Sequence, residues 1–187
     1  AAAAGVFLWY AMRLGQYAAS PLLGRLPVFV ALAANAGIEE ALRLCLAAAA
    51  AILIRRLHLP PGLAALGVLA SCTMATLENA AYVVRFPTMD AYWRLGYAVP
   101  IHTGAAVLYA LAMQGLRGGM PRRPLAIALA FIAAWLWHSA FNIAAAVVPF
   151  PALPFIGTAF NLCALSALVV AAVYRFEYWS IHGNKRI

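Results

Sequence analysis

Residues 27–54 read PVFVALAANAGIEEALRLCLAAAAAILI, an apolar run with Glu39, Glu40 and Arg43 at its centre. As a helix rising 1.5 Å per residue it extends about 42 Å, more than the ~30 Å hydrocarbon core of a bilayer. A charged side chain in the middle of such a helix costs about 2.5–3.5 kcal/mol on insertion scales. Groups at that depth therefore face a protein interior or a wet cavity, and are functional candidates by default. Glu78, His102 and His138 sit in the same way within other apolar runs.

The rest of the chain fits a membrane reading. Over 187 residues, 66% are hydrophobic and the mean hydropathy is +0.89, well above the apolar half of an ordinary soluble domain. The apolar segments are long and continuous, unlike the short alternating strands of a β-barrel. The fold expected is all-α, a polytopic bundle of about six transmembrane helices forming a single membrane domain over 1–187. The net charge of +8 comes from Arg and Lys in short loops, without a basic face interleaved with aromatics. It reads as topology-setting charge, and no nucleic-acid partner is expected. Cys45, Cys72 and Cys163 are odd in number and lie in apolar spans, so they read as small buried hydrophobes with no disulfide framework.

Proline and glycine clusters divide the chain into spans at about 1–18, 27–54, 62–86, 92–116, 124–148 and 155–176. The breakers are Ser20-Pro21 and Pro27, Pro60-Pro61-Gly62, Pro87, Gly118 to Pro121, and Pro149 to Pro154. Arg55, Arg56, Arg117, Arg122, Arg123, Arg175, Lys185 and Arg186 fall on one side, and only Arg25, Arg85 and Arg94 on the other. The excess of positive charge puts both termini in the cytoplasm of a multi-pass plasma-membrane protein. Arg13 and Arg43 lie inside spans. The first span lacks a positive n-region and cleavage site, so it reads as a membrane helix rather than a signal peptide.

With this topology the polar groups converge in depth. Counting 1.5 Å per residue from the external surface, Glu39 lies about 18 Å deep, Glu78 about 12 Å, and His102 and His138 about 15 Å each. Four groups from four helices thus share one layer. Residues four apart share a helix face, which pairs Asn35 with Glu39 and Arg43, Glu78 with Tyr82, and His138 with Asn142. Arg43 reaches either adjacent carboxylate, so Glu39 and Glu40 should not titrate alike, an arrangement suited to a general base. Other hydrolytic devices are missing. The one aspartate, Asp90, is in a loop, and the Gly-x-Ser-x-Gly elbow and the His-Glu-x-x-His helix are absent.

The residues in this layer also carry a resemblance. Gly37-Ile38-Glu39-Glu40-Ala41-Leu42-Arg43 resembles the Glu-Glu-x-x-Lys/Arg motif of PrsW-type glutamic intramembrane proteases, relatives of the CAAX-prenyl proteases. Leu77-Glu78-Asn79-Ala80-Ala81-Tyr82 is similar to their Phe-Glu-x-x-x-Tyr motif, with Leu in place of Phe. Arg94 through His102 resembles their third motif, and His138-Ser139-Ala140-Phe141-Asn142 their His-x-x-x-Asn. The resemblance covers about residues 27–148, the expected catalytic core. It implies an enzyme that hydrolyses a peptide bond in or near the transmembrane segment of a membrane-protein substrate. On it, Glu39 or Glu40 with His102 would activate water, and His138 and Asn142 would donate to the oxyanion. Arg43, Glu78, Tyr82 and Arg94 would support them.

Two readings from other classes use the same layer. One is a non-catalytic scaffold that binds partner helices; the other is a proton or ion transporter, against which the lack of internal repeats counts. The partners expected are a substrate helix and the bilayer. No cofactor or metal is expected; zinc on Glu and two His is the alternative.

Overall fold

In a computed structural model, residues 2–57, 64–85, 87, 89–114, 123–147, 159, 161–166 and 168–170 are described. Within them, the side chains of residues 54–55, 64–66, 89–97 and 123 lie outside the description. All regular structure among these residues is helical: α1 (Ala2–Leu23), α2 (Val28–Arg56), α3 (Ala64–Arg85), α4 (Met89–Gln114) and α5 (Arg123–Val147), followed by α6 (Asn161–Val170). Most of the loops and the tail whose charges set the expected orientation lie outside the described residues, as does much of the sixth expected span.

The first helix does not stop near residue 18. It continues through Pro21 to Leu23, although proline normally breaks a helix by removing a backbone donor. The donor missing at Pro21 would have served the Tyr17 carbonyl, and the Ser20 hydroxyl takes its place, donating to that oxygen at 2.8 Å. The chain turns only afterwards, where Gly24 N–H bonds the Ser20 carbonyl and Ala31 N–H then bonds that of Pro27 to open α2. Polar residues inside other helices use the same device. Thr73, Thr76 and Thr103 donate to carbonyls four residues back at 2.9–3.0 Å, and buried Asn79 donates to Ala75 at 2.7 Å. These bonds give side-chain donors an acceptor within their own helix.

α2 is the centre of the bundle. It touches each of α1, α3, α4 and α5, while α1 packs on α3, α3 on α4, and α4 on α5. Small residues let the helices approach closely. Ala105, Ala130 and Ala134 pack with Tyr109 between α4 and α5, and Leu8, Met12 and Met74 join α1 to α3. Gly5 marks a close crossing of α1 on α3: a Cβ there would meet the Ala70 carbonyl oxygen and the Thr73 Cβ. Neither can move without shifting α3. Gly5→Ala should therefore cost about 1–3 kcal/mol and lower the midpoint of thermal unfolding in detergent.

Among the described residues only α5 contains a stretch, Pro124–Val147, that is long and apolar enough to cross a membrane. α2 misses that class because Glu39, Glu40 and Arg43 interrupt it. The cysteines depart from expectation: Cys45 and Cys163 are exposed on the bundle exterior, and only Cys72 is half-buried, its Sγ 3.2 Å from Thr103 Oγ1. A small apolar residue is tolerated equally well on an outward apolar face, so composition alone did not fix the direction.

Candidate active site

The helix crossings bring Glu39, Glu40 and Arg43 of α2, Glu78 of α3, His102 of α4 and His138 of α5 into one cluster, every member at most 5% exposed. Arg43 is the hub. Its Nη1 donates to Glu40 Oε1 and its Nη2 to His102 Nδ1, with Glu39 Oε2 at 3.5 Å and Met74 Sδ at 3.8 Å. The two imidazoles meet edge to face, centroids 5.0 Å apart.

Donor and acceptor chemistry fixes both tautomers. Arginine only donates, so His102 Nδ1 is an acceptor and its proton sits on Nε2, 3.2 Å from Glu78 Oε2. Glu78 thereby orients His102, and His102 in turn holds Arg43. His138 Nδ1 lies 2.8 Å from Glu40 Oε1. A carboxylate accepts, so Nδ1 carries the proton there, and in the neutral ring Nε2 presents a lone pair, 3.6 Å from Glu39 Oε2.

The two glutamates are consequently unlike. Glu40 is held on both oxygens, Oε1 by Arg43 and His138 and Oε2 by the Tyr109 hydroxyl at 2.9 Å. Glu39 is held on one. Its Oε1 accepts from Gln16 at 2.8 Å and Asn35 at 3.0 Å, while Oε2 has only the looser approaches of Arg43 and His138. One carboxylate is clamped; the other has an oxygen to offer.

Two other expected members lie one helix turn from a member of the cluster. Asn142 is one turn beyond His138 and half-buried, and among the described residues no hydrogen bond joins it to the cluster. Tyr82 is half-buried one turn beyond Glu78. Arg94 belongs to the first turns of α4, and its side chain is outside the described residues. Sequence reasoning missed Tyr109 and Gln16. The signal for Tyr109 is its position seven residues after His102, two turns along the same face; Gln16 is one of the few polar residues in the largely apolar α1. Ser71 also joins α3 to α4, donating to the His102 carbonyl at 3.0 Å.

Tyr109 is 1% exposed, and Phe would preserve its packing while deleting the donor to Glu40. Hydrogen bonds to charged groups are worth about 1.5–3 kcal/mol. Tyr109→Phe should lower the thermal midpoint and reduce any turnover about tenfold or more, read by unfolding and activity assays on the same preparation.

One oxygen of Glu39 and one ring nitrogen each of His102 and His138 come within 4.8 Å of one another, near enough to hold a metal ion. The Arg43 guanidinium already lies against His102 Nδ1, so a divalent cation there would face a fixed positive charge. Comparison of the chain with protein-family models, with curated proteins and with solved structures finds no match.

Proposed function

We propose that the chain is a multi-pass membrane protein that hydrolyses a peptide bond in or near a transmembrane segment of a substrate protein, as the PrsW-type glutamic proteases it resembles do. The observation that carries this reading is the inequality of Glu39 and Glu40 within one buried cluster.

Support for the membrane setting comes from the inverted distribution of polarity. Charged and polar side chains gather in the interior, while Phe7, Leu14, Tyr17, Leu53, Val84, Leu129 and Leu136 are more than half exposed. An apolar exterior around an ionisable core suits lipid rather than water. We read the six helices as six spans with both termini cytoplasmic, in a plasma membrane.

In the reaction, a water bonded to Glu39 Oε2 and His138 Nε2 donates one hydrogen to each. Its oxygen attacks the scissile carbonyl carbon as Glu39 takes the proton. The tetrahedral intermediate collapses when that proton passes to the leaving nitrogen and the C–N bond breaks, giving a carboxyl and an amine terminus. Glu40 holds the His138 tautomer, much as a buried carboxylate does in serine hydrolases. His102, which the resemblance implied for water activation, has its acceptor nitrogen occupied by Arg43 and acts instead with Glu78 to fix that arginine. Asn142 supplies an amide near the oxyanion.

The test is cleavage of a single-span transmembrane peptide, labelled at both ends, by the purified chain in liposomes. Cleavage is expected, and it should survive exhaustive chelation. Loss on chelation with recovery on adding zinc would assign the cluster to a metal instead. Binding of the probe without cleavage would favour the scaffold, and proton flux across the liposome the transporter.

A further inference from the structure

Arg13 lies inside an apolar span, near the site, and the mechanism above does not use it. On α1 its guanidinium rests over the Trp9 ring, 5.9 Å from the centroid, and its Nη1 reaches Gln16 Oε1 at 3.5 Å. Gln16 in turn donates through Nε2 to Glu39 Oε1 at 2.8 Å. From these contacts we propose that Gln16, oriented by Arg13, is a positioning residue for Glu39, which makes α1 part of the catalytic unit. This rests on the hydrolase reading.

The orientation follows from the chemistry of the three groups. An amide can present either end, and nothing in its shape decides which. Arginine has five donors and no acceptor, so the Gln16 carbonyl turns to Arg13 and the amino group is left for Glu39. Trp9, one turn before Arg13 on the same face, supports the guanidinium from below. Glu39 Oε1 thus receives two neutral amide donors, Gln16 from α1 and Asn35 from α2. These pin one oxygen and turn Oε2 toward His138, without placing a further full charge on the carboxylate that must accept a proton. A lysine or arginine at position 16 would form an ion pair there and tie Glu39 up.

α1 is locked in the register that this contact needs. The Gly5 crossing and the contacts of Leu8 and Met12 with Met74 fix it against α3. Met74 also lies against Arg43, so the packing of α1 and the hub of the cluster share a residue.

The experiment compares the full chain with Gln16→Leu, which removes the donor, and Gln16→Glu, which keeps the shape but presents a carboxylate. Exposed Leu14→Ala on the same helix is the control. The chain has four glutamates, Glu39, Glu40, Glu78 and Glu177, so side-chain carboxyl carbon resonances can be assigned through single Glu→Gln variants. In both Gln16 variants the Glu39 resonance is expected to move at fixed pH while that of Glu177 stays. On the labelled single-span peptide, kcat should fall about 10- to 100-fold with KM little changed. An unmoved Glu39 resonance, or a kcat like that of Leu14→Ala, would overturn the proposal. Should the parent chain cleave no probe while the Glu39 resonance still responds to Gln16→Leu, the positioning contact stands and the hydrolase reading falls.

Discussion

Glu39→Gln should reduce cleavage of a single-span peptide by about 10²–10⁴-fold, the usual contribution of a general base, while the folded bundle persists. Glutamine has nearly the same volume and keeps a carbonyl oxygen that can accept from Gln16 or Asn35, the two donors on Oε1. What it lacks is the ability to take a proton at the position of Oε2, the oxygen with only long approaches to its neighbours. Glu40→Gln is expected to behave differently. Its carboxylate is bonded to Arg43, His138 and Tyr109, so its loss should lower both stability and activity. Parallel unfolding and cleavage measurements on the two variants check the contrast. Equal effects on both quantities would remove the division of labour.

Arg43→Met carries the largest expected effect on stability. The arginine side chain is 2% exposed between two carboxylates that are themselves buried. Removing one partner of a buried ion pair costs about 3–5 kcal/mol, because it strands charge away from water. Here two carboxylates lose their cation and the acceptor nitrogen of His102 loses its donor at once, so little folded protein should be recovered from detergent. Arg43→Lys should rescue only in part, since an ammonium lacks the planar fork that spans several acceptors. Adding Glu39→Gln to Arg43→Met should restore some stability by deleting one stranded charge, a coupling that a double-mutant cycle measures. Strict additivity of the two substitutions would mean that Arg43 and Glu39 do not interact.

The interior helices were legible because their ends are chemically marked. Pro27, the prolines and glycine at 60–62, Pro87, Gly118 to Pro121 and Pro149 bracket α2 to α5 within a few residues. The end of α1 was not, since reading through Pro21 requires knowing that Ser20 folds back onto Tyr17. The meeting of Glu39, Glu78, His102 and His138 follows from counting rise per residue, because depth in a bundle is nearly a function of sequence position. Azimuth is not, and azimuth decides contacts. Depth alone could not tell that Asn142 stays outside the hydrogen-bonded cluster while Tyr109, two turns from His102, is inside it. Nor could it separate Glu39 from Glu40, which differ in what approaches them from α1, α4 and α5.

The central claim, that a carboxylate in this buried cluster activates water against a peptide bond, is tested most directly by isotope. The purified chain in liposomes is incubated with the single-span peptide in water enriched in ¹⁸O, and the products are weighed by mass spectrometry. A cut within the membrane-embedded part of the peptide is expected, with one ¹⁸O in the new carboxyl terminus. An intact peptide after prolonged incubation with folded protein, or a cut that Glu39→Gln leaves undiminished, would contradict the account.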